Sequence, residues 1–481
     1  MRRPAVFVVL VLLLVSAFGA SSARAYPVDF RDTQVASGLV LPIALVCVPD
    51  GRMFVGEIGG TIRLVKNGVV SPKPMTQLSV ENFEEQGLLG MALHPDFPNR
   101  PYLYVLYTPL TGHPKNNTHR ISQFTVAGDT LISGREIILH STLPTGEGYH
   151  VGGCLRFGPD GRLYASVGEN GYNGTKDYPQ QLSRLEGKII RINIDGSIPP
   201  SNPFYSTAGA KREIFERGLR NPFRFTFQPG TGLMFINDVG PNTSTSEDEI
   251  NVGSAGTNFG FPTVLGTVIP PPAGMTNPIH STIVGSGACE TGGVFYNGLR
   301  FPPEYQNSYF WFDHSRGQIH RMVLGTGNSI VSVTKPWGLT ATTGWGYGPV
   351  DLELGFDGSL YYTSYDPGSI RKIEYTFTGT AGATPPPLGA GTRLEVNSPN
   401  PFALATQIPF TLALAGRARL EVYDVSGRLV AVLSDETLPA GPHSVSWTGR
   451  DQSGARVPPG VYLLRLEASG LSLTRRVALI R

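Results

Sequence analysis

The chain has 481 residues, with 39 Lys and Arg against 37 Asp and Glu, a formal net charge of +2, and 16% charged and 10% aromatic residues. So even a balance provides no long-range field for nucleic acid or an anionic membrane surface, and this aromatic and charged content excludes a disordered chain. The length exceeds one ordinary core, so two or more domains, or one large repeat domain with a small companion, are expected; 59 Gly and 40 Pro demand many turns.

The N-terminus reads as an export signal at residues 1–25. Arg2 and Arg3 form a basic start, Ala5 to Ala20 an apolar run, and Ala23-Arg24-Ala25 a small-x-small cleavage site, so the mature chain is expected to begin at Tyr26. A retained anchor is the weaker alternative, because the run is short for a spanning helix, and no later segment is apolar enough to cross a bilayer. The expected location is therefore secreted, periplasmic or on the surface of a bacterium. Cys47, Cys154 and Cys289 have no metal-ligand spacing; they read as three buried thiols, or as one closed pair with a thiol left over.

From residue 26 to 375 a strand-turn-strand signature recurs. It appears at Pro49-Asp50-Gly51-Arg52-Met53-Phe54-Val55, at His94-Pro95-Asp96-Phe97 running into Tyr102, and at Gly158-Pro159-Asp160-Gly161-Arg162-Leu163-Tyr164. Three more units follow at Gln228, at Tyr305 and at Gly355-Phe356-Asp357-Gly358-Ser359-Leu360-Tyr361. Gly and Asp supply the tight turn, and the alternating aromatic and β-branched residues suit a half-buried pleat. Uneven spacings of about fifty to eighty residues suit radial blades with insertions better than a fixed-period solenoid, which predicts an all-β fold with a six-bladed β-propeller. A pair of β-sandwiches would not need one hairpin signature so many times.

Residues 376–392, with Pro385-Pro386-Pro387 and Gly389-Ala390-Gly391, read as a linker. Beyond it, alternating strands such as Arg419 to Asp424 and Gly460 to Leu466 predict a small Ig-like β-sandwich over 393–481.

Chemistry-bearing residues gather in the propeller region. His150 lies in Tyr149-His150-Val151-Gly152-Gly153, where small neighbours let a bulky ligand approach the backbone. Arg220-Asn221-Pro222 places a guanidinium and an amide before a rigid residue, suited to gripping hydroxyl or carboxylate oxygens. Gly240-Pro241-Asn242 is a turn whose carbonyls could face a hard cation, followed by Glu247, Asp248 and Glu249. Glu85 opens the abrupt switch from charge to apolar strand in Glu85-Gln86-Gly87-Leu88-Leu89-Gly90.

These segments, in this order and together with Asn258-Phe259-Gly260-Phe261-Pro262, resemble the soluble pyrroloquinoline quinone (PQQ)-dependent sugar dehydrogenases, the glucose/sorbosone dehydrogenase family of six-bladed propellers. The resemblance implies an oxidoreductase that removes hydride from a sugar hydroxyl and passes electrons to an external acceptor. His150 would be the general base and Arg220 would polarise the quinone oxygen. Asn221 would bond the cofactor, Glu85 would flank the substrate, and the Gly240 and Pro241 carbonyls would hold calcium. Glu249 would either help a structural calcium or cap a turn.

The chain departs from the family where PQQ's three carboxylates need fixed cations. Ser315 stands at the Lys position, leaving the adjacent Arg316, and Gly348 and Val350 stand where two Arg are expected. Each lost charge-assisted pair costs about 1.5 to 3 kcal/mol. Arg316, Arg217 or Arg156 would have to compensate; otherwise the chain is a non-catalytic carbohydrate-binding or surface-adhesion propeller. The tail, through Val422-Tyr423-Asp424, Trp447-Thr448-Gly449 and Gly460-Val461-Tyr462, resembles the FlgD-like Ig domain and type IX secretion sorting domains, implying a secretion or cell-surface partner.

Overall fold

The computed structural model describes residues 27, 29–112, 118–132, 143–171, 175–241, 243–283, 289–298, 300–334, 337–338, 348–376, 392–394, 400, 402–412, 416–424, 428–439, 441–468 and 471–480. The segment expected to be an export signal, 1–25, nearly all of the expected linker, and Asn242 lie outside the described residues.

The Asp-Gly turns show directly how sequence makes hairpins. In three of the units the Asp carboxylate accepts from the backbone N–H two residues on: Arg52 to Asp50 at 3.1 Å, Arg162 to Asp160 at 3.1 Å, and Ser359 to Asp357 at 3.0 Å. The glycines that follow, Gly51, Gly161 and Gly358, have φ of 88°, 73° and 78°, a region that a Cβ disfavours. Each turn delivers the chain into a buried strand: Met53–Glu57, Leu163–Val167 and Leu360–Ser364.

Between Phe30 and Tyr375 the strands assemble into six sheets of four or five strands. Their first strands are Pro42–Cys47, Leu88–Leu93, Gly152–Phe157, Pro222–Phe227, Glu290–Tyr296 and Pro349–Leu354. Each first strand packs against those of the preceding and following sheets, and the sixth returns to the first, giving a closed ring. The outermost strand of the sixth sheet is Phe30–Ser37, which pairs antiparallel with Ser369–Tyr375 and so joins the two ends of the ring. Asp32 reinforces that seam by accepting from Arg371 Nε at 2.9 Å and from the Tyr362 hydroxyl at 3.0 Å.

The packing between sheets is apolar and continuous. Ala44, Val46 and Phe54 of the first sheet meet Met91, Leu103 and Val105 of the second, while Leu89 and Leu106 of the second meet Leu155 and Ala165 of the third. Fully burying each of the Val, Leu, Met and Phe side chains among them contributes about 1.5–3 kcal/mol.

Every first strand carries a register irregularity near its start: Pro42/Ala44, Leu88/Gly90, Gly152/Leu155, Pro222/Arg224, Thr291/Gly293 and Pro349/Asp351. Bulges bend a strand and turn its backbone away from regular pairing. Their concentration at one end of the ring leaves polar backbone and side chains converging there.

The C-terminal strands form a three-stranded sheet, Arg393–Leu394, Thr406–Leu412 and Gly441–Trp447, and a four-stranded sheet built on Gly416–Asp424 and Gly460–Ala468. The two share a core of Phe402, Ile408, Phe410, Leu420, Trp447 and Leu464. Trp447 and Tyr462 are buried, with the indole N–H donating to Arg450 O at 2.9 Å. All three cysteines are free thiols, and no helix among the described residues is long and apolar enough to cross a membrane.

Candidate active site

The bulged end of the ring is built from residues just before first strands and just after second strands. His150 precedes Gly152–Phe157, Arg220 and Asn221 precede Pro222–Phe227, and Glu85 lies before Leu88–Leu93. Glu169 follows Leu163–Val167, and Gly240 follows Met234–Asp238. Residues distant in sequence therefore meet because the ring brings equivalent strand ends together.

His150 is held from four sides. Its backbone N–H donates to Glu85 Oε2 at 2.8 Å, and its carbonyl accepts from Asn170 N at 3.1 Å. Its Nδ1 lies 2.6 Å from Glu169 Oε1, and its Nε2 lies 3.0 Å from Arg220 Nη2. A guanidinium can only donate, so Nε2 accepts and the ring proton sits on Nδ1, directed at the Glu169 carboxylate. The imidazole is therefore neutral, with its lone pair turned toward Arg220. Backbone geometry is equally constrained: His150 has φ of 53°, and a Cβ on Gly168 would fall 1.8 Å from the His150 carbonyl oxygen. A non-glycine residue at such a φ, with a neighbour that has to lack a side chain, marks a strained position fixed by its surroundings.

Arg220 and Asn221 are aimed by a single carboxylate. Asp238 accepts from the Arg220 N–H at 2.9 Å and from the Asn221 N–H at 2.7 Å. The Asn221 amide oxygen then accepts from Gly152 N at 3.0 Å, tying the third and fourth sheets together beside His150. Arg220 Nη1 donates to the carbonyls of Val239 and Gly240, each at 2.7 Å.

Carboxyl groups outnumber cations at this end. Burial pushes Asp238 up to about 8 and Asp248 up to about 6, while neighbouring Glu249 and Asp313, respectively, push in the same direction. Burial also raises Glu85, opposed by His150, and lowers Arg220, opposed by Glu169, Asp238 and Glu85.

Of the residues nominated from sequence, His150, Glu85, Arg220, Asn221 and Gly240 converge within direct hydrogen-bonding steps of one another. Glu249, within the strand Glu247–Gly253, is engaged elsewhere: its oxygens accept from Asn251 Nδ2 at 2.9 Å and Gly266 N at 2.7 Å. Arg316 pairs with Asp313 at 2.8 Å. Arg156 is committed to Asp351 and Glu353, and Arg217 Nη1 to the Gln180 carbonyl at 2.9 Å. Gly348 is pressed on the His314 carbonyl, since a Cβ there would lie 1.8 Å from it, and Val350 is buried among apolar residues. Among the described residues no group of three or more His, Cys, Asp or Glu side chains could hold a metal ion, so a cation at the Gly240-Pro241 turn would rely on carbonyls.

Glu169 and Asp238, which orient the base and the guanidinium, were not nominated from sequence. Asp238 ends the apolar second strand of its repeat unit, in Phe235-Ile236-Asn237-Asp238, whereas Glu169 lies two residues past the end of its own, in Val167-Gly168-Glu169.

A profile of the Glucose / Sorbosone dehydrogenase family matches residues 39–371, and one of the FlgD Ig-like domain matches 405–472. The chain is 28% identical over 389 residues to the aldose sugar dehydrogenase YliI of Escherichia coli, covering 78% of this chain and 99% of that protein. It is 32% identical over 274 residues to quinoprotein glucose dehydrogenase B of Acinetobacter calcoaceticus, covering 51% of this chain and 55% of that protein. The crystal structure of the soluble aldose sugar dehydrogenase of Escherichia coli in its apo form superposes with a TM-score of 0.61 at 26% identity, covering 72% of this chain and 99% of that one.

Proposed function

The chain belongs to the glucose/sorbosone dehydrogenase family, and from that premise we propose that it is an exported sugar dehydrogenase using PQQ, with its active site at the bulged end of a six-bladed propeller. The observation that carries this reading is the neutral His150 imidazole, fixed by Glu169 on one nitrogen and facing Arg220 with the other. When bound, the quinone supplies the hydride acceptor. His150 Nε2 accepts the proton of the sugar hydroxyl, which has to take the place now held by Arg220 Nη2. Glu169 keeps the proton on Nδ1 and stabilises the imidazolium that forms. Arg220 stands where it can balance developing negative charge on an oxygen.

Donor chemistry fits the reacting end of the quinone, where an amide and a guanidinium flank the base. Asn221 and Arg316 would hold the group, Glu85 would border the sugar, and the Gly240 and Pro241 carbonyls would hold calcium once Arg220 Nη1 releases the Gly240 carbonyl. The same proposal includes an external electron acceptor, an export signal at 1–25, a propeller at 26–375, a linker at 376–392 and an Ig-like sandwich at 393–481 that serves sorting or anchoring.

Reconstitution tests it. Purified full-length chain supplied with PQQ and calcium should reduce a dye when given an aldose, and His150→Ala should lower turnover by about 100- to 10,000-fold. Dye reduction indifferent to His150→Ala would overturn the assignment.

A second reading is favoured by Ser315, Gly348 and Val350, which supply no cation to the cofactor's carboxylates. On that reading the ring binds carbohydrate without oxidising it. Calorimetric titration separates the two: PQQ uptake supports the first, and saturable glycan binding without PQQ uptake supports the second.

A further inference from the structure

His94 belongs to a segment that has no part at the His150 end of the ring. It follows Leu93, the last residue of the second sheet's first strand. Its ring packs with those of Tyr102, Tyr104 and Phe157, with centroids 6.1, 6.4 and 5.7 Å away. Phe157 ends the strand that begins beside His150, so His94 sits at the opposite face of the ring. There, between the second and third sheets, lies a cavity of about 180 Å³ lined by His94, Arg100, Tyr102, Tyr104, Gln123 and Asp195.

The cavity wall is polar in a particular way. His94 is only 7% exposed, and its Nδ1 accepts from the Asp96 N–H at 3.0 Å, which leaves the neutral ring's proton on Nε2. No described residue accepts from that Nε2. Gln123 Nε2 donates at 3.1 Å to the hydroxyl of Tyr104, a wholly buried residue that backs the wall, and Gln123 keeps its amide oxygen for a ligand. On the rim Arg100 is paired with Asp96 at 3.9 Å and Asp195 stands opposite, its carboxylate steadied by Ser197 N at 3.0 Å and Ser197 Oγ at 2.6 Å.

We propose that this cavity is a second ligand site, distinct from the His150 end, that takes a single neutral pyranose unit of a saccharide. Opposed rim charges favour a ligand with no net charge that both donates and accepts, as a ring of hydroxyls does. An anion would meet Asp195, and an aliphatic ligand would leave the His94 Nε2 proton unsatisfied. The half-buried Tyr102 ring suits the apolar C–H surface of a sugar ring. The volume is about that of six waters at roughly 30 Å³ each, which suits one ring and not a chain of them. The proposal does not depend on the oxidoreductase reading.

Calorimetric titration of the full-length chain with methyl β-D-glucopyranoside tests it, because this probe has a blocked anomeric hydroxyl. One saturable site is expected, weakened about tenfold or more by Asp195→Ala and by His94→Phe, and unaffected by His150→Ala. Asp195 lies on an exposed turn, so that variant keeps the fold, and thermal melting checks His94→Phe. Absence of saturable heat, heat retained in both cavity variants, or heat lost in His150→Ala would overturn the proposal; the last outcome would place the sugar at the candidate active site and leave that reading standing. Tighter binding of acetate than of the glucoside would also overturn it.

Discussion

Glu169 Oε1 stands 2.6 Å from His150 Nδ1, and the Glu169 backbone N–H donates to the Arg220 carbonyl at 2.7 Å, so one residue orients both the imidazole and the strand that presents the guanidinium. Glu169→Gln keeps the shape but offers Nδ1 an amide N–H, which favours the tautomer with its proton on Nε2, opposite Arg220. Sugar-dependent turnover is expected to fall about 100-fold with little change in KM, measured by steady-state kinetics.

Gly168 has room for no side chain against the His150 carbonyl. Gly168→Ala should cost about 1–3 kcal/mol in denaturant unfolding and displace His150. A variant with wild-type stability and turnover would show that the loop relaxes freely.

Asp32 joins the ends of the ring through Arg371 and Tyr362, and its side chain is wholly buried. Asp32→Ala leaves Arg371 without its carboxylate and is expected to destabilise by about 3–5 kcal/mol, read from chemical denaturation.

Glu290 is pushed up to about 8, first by burial and then by Asp248, and its Oε1 accepts from Thr282 Oγ1 at 2.6 Å. A folded value raised above the unfolded one gives stability that is complete below the unfolded value near 4 and is lost as pH rises toward 8. The melting temperature of wild type relative to Glu290→Gln should therefore decline from about pH 4 to pH 8, as scanning calorimetry would record. A pH-independent difference would mean that Glu290 titrates normally.

Ser315 precedes Arg316, whose guanidinium is paired with Asp313. Ser315→Lys adds an ammonium close to the proposed cofactor carboxylates and should tighten PQQ binding about tenfold in calorimetry. Unchanged affinity would count against this placement of the cofactor.

The repeating scaffold was legible because Asp-Gly turns encode hairpins locally, as the matching bonds at Asp50, Asp160 and Asp357 show. His150, Arg220 and Asn221 were legible for a related reason: each sits just ahead of a recognisable strand, beside Gly or Pro. Glu169 and Asp238 were not, since an acid after an apolar run looks the same whether it faces solvent at a turn or caps buried N–H groups. Nor could sequence anticipate Arg224 Nε bonding Asp351 at 3.0 Å across 127 residues, or the diversion of Arg156 to the same carboxylate. Those partnerships exist only once the ring is closed, and they consumed a cation that charge counting alone would have assigned to a ligand.

The edge strand Phe30–Ser37 has further significance for biogenesis. Its pairing partner, Ser369–Tyr375, is made only after more than three hundred intervening residues. Until then the leading segment has an unpaired edge and the ring cannot shut. Closure of the last sheet is therefore a long-range event, of the kind that makes folding slow.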